Sequence, residues 1–293
     1  MKITNDHGLP EALYTAIVNS EKEYSGPRNI EDKISCTTLI GPPRIHFLRV
    51  RHNDELVEDA ASRIWSLMGT LMHSLMEKSD DTNVLVEERQ EKVVDGVTIS
   101  GQADRITNDG SFEDYKFTTM YSVVGKAEAK PEWVLQLNVL NWIFHDIFKA
   151  QAMIIHAILR DWSKGKHKKD PVGVPAVQYK KVIITDIWPI EKADKYVRER
   201  VALFKSCKPL SDNDLPKCTS EDMWAKEDIW AIMKPGRVSA VKLCYSEQEA
   251  KDSCPSGHSI VVRPGERIRC SDYCNVSCVC NQYQEYLKAK GDK

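Results

Sequence analysis

The stretch that decides the fold runs from Val97 to Lys116 and reads VTISGQADRITNDGSFEDYK. Apolar and polar residues alternate on both sides of Asn108-Asp109-Gly110, so the stretch predicts two antiparallel strands joined by a tight turn. Asp114 and Lys116 are two residues apart, and their side chains therefore point to the same face of the second strand. An antiparallel neighbour brings Asp104 alongside them.

Two carboxylates on one strand face have the chemistry of a Mg²⁺ site, because Mg²⁺ prefers oxygen ligands and keeps several waters, one of which it can activate. Lys116 is then placed to orient that water or to stabilise charge on phosphate oxygens. On an arbitrary hairpin such residues are simply the solvated face, so the assignment depends on the rest of the chain. Glu113 points to the opposite face, and we expect it to have a structural role.

Outside this stretch, a strand-like run that ends at the Asp95-Gly96 turn completes a three-stranded meander over residues 83–119. Apolar spacing of three and four predicts helices elsewhere. The predicted helices cover residues 10–19, 56–76, 133–148 and 190–204, and two further strands cover 153–159 and 182–187. A short helix capped by Ser35 or Thr37 is interrupted at Pro42-Pro43. This order of elements predicts a mixed α/β core.

Four short motifs occur in order along the predicted core. They are Gly69-x-x-x-His73, Gly101-x-x-Asp104, Asp114-x-Lys116 and Gln136-Leu137-Asn138. Together they resemble the motifs of the PD-(D/E)xK nucleases of the RecB type, and the flanking sequence is similar to phage-encoded members. The resemblance covers about residues 35–145. It implies a restriction-endonuclease-like core, in which a mixed central sheet is flanked by helices, and DNA hydrolysis that depends on Mg²⁺ or Mn²⁺.

The resemblance also implies a role for each motif residue. Asp104 and Asp114 are the metal-binding carboxylates, Lys116 is the catalytic lysine, His73 is an additional metal ligand and Gln136 lines the active site. One position departs from the family: Leu140 replaces the tyrosine that often follows the glutamine by four residues. Asn141 or Trp142 is the candidate to replace that tyrosine in positioning the substrate. Arg44 is a candidate contact for a DNA phosphate.

The nine cysteines are unlike a secreted disulfide framework, because their number is odd and five of them crowd between Cys254 and Cys280. Cys270, Cys274 and Cys280 are spaced compactly enough to converge on one metal, and we choose Cys218 as the fourth ligand. The competing ligands are Cys254, Cys278 and His258. Zn²⁺ and a 4Fe–4S cluster both take four thiolates, so the spacing does not distinguish them.

Several RecB-type nucleases carry a 4Fe–4S cluster held by one early and three late cysteines. In this chain Pro42 stands where the early cysteine is expected, and Cys36 is displaced from it by six residues. We therefore expect Cys36, like Cys207 and Cys244, to be a small core residue.

Composition limits the function classes. The chain has 293 residues, of which 42% are hydrophobic and 29% charged, with a formal net charge of -2, so it is typical of a globular protein and lacks an overall basic charge. Contact with DNA then requires a local basic patch, such as the lysine run in a predicted loop at 164–169. The N-terminus has no signal-peptide pattern and no apolar run reaches the ~18 residues of a membrane span, so we expect a cytoplasmic protein with no membrane partner.

Past Lys208 the sequence becomes rich in proline and cysteine. We therefore predict a nuclease core over residues 1–208 and a cysteine-rich metal-binding module over 209–293. The expected function is a Mg²⁺-dependent DNA exonuclease of phage recombination, repair or DNA processing, with a recombination or single-strand-binding protein as a further partner. The alternative is a non-catalytic DNA-binding protein that keeps the nuclease fold, which Leu140 favours. A zinc-dependent regulatory module would leave the four motifs unexplained.

Overall fold

The computed structural model describes residues 1–24, 32–78 and 84–291. Contacts divide the chain into two compact units, one made of residues 1–43 and 57–209 and the other of residues 44–56 and 210–293. The sequence-based division at residue 208 assigned 44–56 to the nuclease core, whereas contacts group this segment with the residues after 209.

The first unit contains eight of the strands in the part of the chain described. They are β1 (Lys2–Thr4), β2 (Lys33–Ser35), β3 (Val57–Asp59), β4 (Val84–Val94), β5 (Val97–Thr107), β6 (Ser111–Thr118), β7 (Ala152–Leu159) and β8 (Tyr179–Ile184). The helices up to residue 207 are α1 (Glu11–Tyr24), α2 (Cys36–Ile40), α3 (Pro43–Arg51), α4 (Ile64–Glu77), α5 (Pro131–Phe144), α6 (Lys164–Lys169) and α7 (Ile190–Cys207). Of these helices, α3 belongs to the second unit apart from its first residue.

A six-stranded mixed sheet is the centre of the first unit. Strand β5 pairs antiparallel with β4 along its whole length, and it also pairs parallel with β2 near its start and antiparallel with β6 near its end. Strand β6 pairs parallel with β7, which pairs antiparallel with β8. The predicted meander and the mixed central sheet flanked by helices are therefore confirmed.

The turn between β4 and β5 sets the register of that hairpin. Asp95 and Gly96 both have positive φ, 49° and 78°, as a type I′ turn requires. Val94 consequently pairs with Val97, and the same register continues to the far end of the hairpin.

Helices α5 and α7 cover the sheet for different reasons. Helix α5 begins with a proline at its first turn, where the missing N–H costs no hydrogen bond, and its second half is buried almost all round. Helix α7 instead buries one stripe of residues three and four apart. The stripe consists of Ala193, Val197, Val201 and Phe204. In the residues that the structure describes, no helix combines the length and the apolar character needed to cross a bilayer.

Several sequence predictions differ from the structure in extent or type. The helix predicted over 56–76 begins at Ile64, because β3 and a short 3-10 turn precede it and Asp59 caps that turn. No side chain of α4 is buried, although its apolar residues recur at helical spacing. The lysine run forms the short helix α6, capped by Ser163, instead of a loop. The last predicted strand, 182–187, lies three residues earlier, at Tyr179–Ile184.

The second unit contains α3 and the elements after residue 210. These are β9 (Ile229–Met233), β10 (Lys242–Cys244), α8 (Glu247–Ser253), β11 (Ser259–Arg263), α9 (Ile268–Asp272) and α10 (Asn281–Gly291). Strand β9 is the middle strand of a three-stranded antiparallel sheet. Ile232, Cys244 and Ala250 form a small core where α8 packs on this sheet.

Arg44 is buried in the second unit, with 1% of its surface exposed. Its guanidinium donates to the main-chain oxygens of Asp212, Leu215 and Pro216, and to Asn281 Oδ1 at 2.6 Å. All of these contacts hold the unit together. The hypothesis that Arg44 contacts a DNA phosphate is therefore wrong, because its side chain is buried and its guanidinium already donates to these oxygens.

Candidate metal centre and active-site cleft

A cleft of about 640 Å³ opens in the first unit, and α2, α4, α5 and the strands β4 to β6 all contribute side chains to it. Its volume is within the range of ligand-binding clefts. Four sequence-predicted residues line it, namely His73, Asp104, Lys116 and Gln136. The fifth, Asp114, is buried directly behind Lys116.

Asp114, Lys116 and Gln136 form a closed triangle of polar contacts. Lys116 Nζ donates to Asp114 Oδ1 at 3.0 Å and to Gln136 Oε1 at 3.1 Å, and it lies 2.7 Å from Asp114 Oδ2. Gln136 Nε2 completes the triangle by donating to Asp114 Oδ1 at 3.0 Å. Burial lowers the pKa of Lys116, but the charge and hydrogen bond of Asp114 outweigh it, and the pKa is raised overall. Lys116 is therefore held as a fixed positive charge.

A second group lies at the other side of Asp104. His73 Nδ1 is 2.9 Å from Glu87 Oε1 and 3.6 Å from Asp104 Oδ1, while Asp104 Oδ2 accepts a hydrogen bond from the Tyr115 amide at 2.7 Å. One ligand atom from each of His73, Glu87 and Asp104 lies within 4.8 Å of the other two. Among the described residues this is the group of three that could hold a metal ion. It contains Glu87, which the sequence motifs did not indicate, in place of Asp114.

The ionisable side chains of the cleft shift the pKa values of one another. Burial, and then the neighbouring Asp114 charge, raise the pKa of Asp104 to about 7. The hydrogen bond to Glu87 raises the pKa of His73 above its ordinary value, against the effect of burial. A divalent cation bound beside these groups would favour their carboxylates in the charged form. The donor set of carboxylates and one imidazole fits Mg²⁺ or Mn²⁺.

Two glycines of the motifs line the cleft. A Cβ on Gly101 would lie 2.5 Å from Leu140 Cδ2 and 2.7 Å from Ile143 Cδ1, so glycine is needed where α5 approaches β5. This close approach brings Gln136 within reach of Lys116. Gly69 also lines the cleft one turn before His73, but a Cβ there would meet nothing within 4 Å, so space does not require glycine at this position.

The candidates to replace the family's tyrosine do not reach the cleft. Asn141 Oδ1 accepts a hydrogen bond from the Ala150 amide, and Trp142 Nε1 donates to Asp194; both side chains are buried. The suggestion that either one positions the substrate is therefore wrong. Leu140 itself is 2% exposed and packs where a Cβ on Gly101 would stand.

An aromatic residue that the sequence did not single out lies at the rim. Trp65 lines the cleft with 51% of its surface exposed, and the Arg160 guanidinium is 4.6 Å from its ring centroid.

Glu113 does not line the cleft. It pairs with Arg105, with 3.2 Å between Glu113 Oε2 and Arg105 Nε.

In the second unit, Cys218, Cys270, Cys274 and Cys280 line one small pocket. Burial, with the neighbouring Asp222 and the other three thiols, raises the pKa of Cys218 to about 12. Burial and the neighbouring thiols likewise raise the pKa of Cys270 to about 11. Although the four residues converge, no three of their sulfurs lie within 4.8 Å of one another.

The other cysteines lie outside this pocket. Cys278 is exposed, and Cys254 packs beside the small core of β9, near the main-chain oxygen of His258. Cys36, Cys207 and Cys244 are buried, as predicted. Cys36 lines the cleft, and burial raises the pKa of its thiol to about 12.

No protein-family model and no curated protein matches the sequence. Among solved structures the chain is similar to SSO0001, with a TM-score of 0.47 and 17% sequence identity over 66% of this chain and 87% of that one. A likeness of this extent says nothing about activity. Membership of the PD-(D/E)xK nucleases stays a prediction from the motifs.

Proposed function

We propose that the first unit is a metal-dependent deoxyribonuclease with a PD-(D/E)xK core of the RecB type. The observation that carries the proposal is the convergence of His73, Asp104, Lys116 and Gln136 on one cleft, with Asp114 bonded behind Lys116. These residues are distant in the chain and were picked out by four motifs in a fixed order. Residues that are far apart in the chain and have no shared function are not expected to converge on one cleft.

We assign each residue the role that the resemblance implies, and the contacts of Lys116 and Gln136 support theirs. A divalent cation held by His73, Asp104 and Asp114 would supply an activated water and neutralise charge on the scissile phosphate. Lys116, held by Asp114 and Gln136, provides a fixed positive charge for the phosphate oxygens or the attacking water. Gln136 donates a hydrogen bond to Asp114 and accepts one from Lys116, and so it fixes the position of the lysine.

The surroundings of the site favour a nucleic acid substrate. Trp65 at the rim offers an aromatic surface on which a base can stack, and Arg160 beside it adds positive charge. Arg89 also lines the cleft and is exposed. By the resemblance, we favour an exonuclease of phage recombination, repair or DNA processing, with DNA as the partner.

The test is cleavage of end-labelled linear DNA and covalently closed circular DNA by the purified chain with Mg²⁺ or Mn²⁺. We expect degradation of the linear DNA, no cleavage of the circle, and loss of activity in EDTA. Cleavage of the circle would contradict exonuclease action. DNA binding without cleavage under any of these conditions would instead support the alternative, a non-catalytic DNA-binding protein.

We propose further that the four-cysteine pocket of the second unit holds an iron–sulfur cluster. Thiolates at about 2.3 Å from one tetrahedral zinc lie about 3.8 Å apart. The sulfurs of Cys218, Cys270, Cys274 and Cys280 are spread more widely, since no three lie within 4.8 Å of one another. A wider arrangement fits a 4Fe–4S cluster better than Zn²⁺, because a cluster is larger than a single ion.

A further inference from the structure

We propose that Glu87 is a direct ligand of the cation that His73 and Asp104 bind. The inference rests on the proposed function only in that the cleft must take a divalent cation. It adds a ligand from β4, a strand that carries none of the four motifs.

The hairpin register delivers Glu87 to the cleft. Val86 pairs with Arg105 and Glu88 pairs with Ala103, so neither strand has an extra residue between them and Glu87 stands opposite Asp104. Glu87 has a φ of 52°, which is uncommon for a residue other than glycine, and the ladder is interrupted there. Two carboxylates directly opposite each other repel, and a shared cation turns this repulsion into attraction.

The distances fit a shared cation. Neighbouring ligands of an octahedral Mg²⁺ or Mn²⁺ site, with bonds near 2.1 Å, are separated by roughly 3 Å. The measured separations are 2.9 Å from His73 Nδ1 to Glu87 Oε1 and 3.6 Å from His73 Nδ1 to Asp104 Oδ1. Glu87 also has its second oxygen fixed, because Gln102 Nε2 donates to Oε2 at 2.6 Å. This leaves Oε1 directed at His73, where a shared cation would bind.

Asp114 differs from Glu87 and Asp104 in its partner. Its side chain is buried, and its Oδ2 lies 2.7 Å from Lys116 Nζ, so the lysine already pairs with this carboxylate. The carboxylates of Glu87 and Asp104 share His73 instead, and a cation bound there would neutralise them.

A different role for Glu87 is to position His73 without contacting the cation. The two roles differ in a double-mutant cycle. If Glu87 acts through His73, replacing it in a chain that already lacks the imidazole changes nothing. If Glu87 is a ligand, the second replacement weakens cation binding again.

The experiment is Mn²⁺ binding to the full chain without DNA, followed by the electron paramagnetic resonance signal of free Mn²⁺. The variants are Glu87→Gln, His73→Ala, the double variant, and Asp114→Asn. Glu88→Gln is the matched control. This substitution removes the same charge from the next residue, and Glu88 does not line the cleft. Thermal unfolding in EDTA identifies any variant that fails to fold.

We expect Glu87→Gln to weaken Mn²⁺ binding about tenfold or more, both in the natural chain and in the His73→Ala background. Glu88→Gln should bind as the natural chain does. Unchanged Mn²⁺ binding by Glu87→Gln, or no further loss of binding in the His73→Ala background, would overturn the proposal. Loss of binding by Asp114→Asn in the same experiment would show that the proposed function still holds. Absence of Mn²⁺ binding by the natural chain would instead remove the proposed function, and this inference with it.

Discussion

Glu87 stands opposite Asp104 across the β4–β5 hairpin, between the paired positions Val86–Arg105 and Glu88–Ala103. The turn at Asp95-Gly96 imposes this relationship, since a two-residue type I′ turn fixes every pair that follows it. A local turn signal thus decides which side chain faces a motif carboxylate eight positions from the turn.

The close packing of α5 on β5 predicts a cost for Gly101→Ala. The added methyl would overlap Leu140 and Ile143, and we expect a loss of about 1–3 kcal/mol in the free energy of unfolding. Gly69→Ala is the control: its methyl meets nothing, and alanine favours the interior of α4 by roughly 0.5–1 kcal/mol. Urea unfolding measures both. Equal stability of the two variants would show that glycine is not needed for this contact.

The buried guanidinium of Arg44 predicts that even lysine cannot replace it. Lysine has no planar fork for the main-chain oxygens around it, and each buried acceptor left without a donor costs about 1–3 kcal/mol. We therefore expect Arg44→Lys to lower the thermal unfolding temperature clearly, while the exposed Arg237→Lys leaves it unchanged. If Arg44→Lys unfolds at the natural temperature, the guanidinium is not a structural group.

The contacts of His52 predict a pH dependence of stability. Hydrogen bonds to Asp212, and then to Glu55, raise the pKa of His52 above 6.5. Because the folded-state pKa is raised, the stabilisation is fully present below pH 6.5 and is lost as pH rises through the raised pKa. The natural chain should therefore melt above His52→Gln by about 1–2 °C at acid pH. The difference should shrink toward pH 8.5, and a difference that grows with pH would contradict this.

The cysteine pocket predicts a coloured protein. Protein purified without oxygen should absorb visible light near 400 nm if a cluster is present, whereas a zinc protein is colourless. Cys274→Ser should lose the absorption, and Cys278→Ser should keep it, because Cys278 is exposed and does not line the pocket. A colourless natural chain that contains one equivalent of zinc would contradict the cluster.

The sequence predicts the three-stranded meander of the central sheet because its signals are local. Period-two alternation, the Asp95-Gly96 turn and the Asn108–Gly110 turn predicted the meander, and the spacing of Asp114 and Lys116 placed both side chains on one face. Glu87 was within reach of the same reasoning, since counting back from the two-residue turn pairs it with Asp104. Glu87 belongs to none of the four motifs, so the motifs alone do not indicate it.

Other features depend on packing that no local pattern shows. Helix α4 has helical spacing but buries no side chain, so periodicity alone did not reveal how exposed it is. Arg44 follows two prolines like an exposed loop residue, yet its partners lie more than 160 positions away in the chain. Asn141 and Trp142 were plausible from their spacing, but only the structure shows which side of α5 each of them occupies.

Asp114 holds Lys116 in place, and the proposed nuclease site requires its carboxylate. The decisive measurement is the rate of Mg²⁺-dependent degradation of linear DNA by Asp114→Asn, compared with Glu113→Gln, which makes the same charge change on the adjacent residue outside the cleft. We predict a loss of at least about 100-fold for Asp114→Asn and little change for Glu113→Gln. Equal activity of the two variants would contradict the assignment of this cleft as the active site of a nuclease.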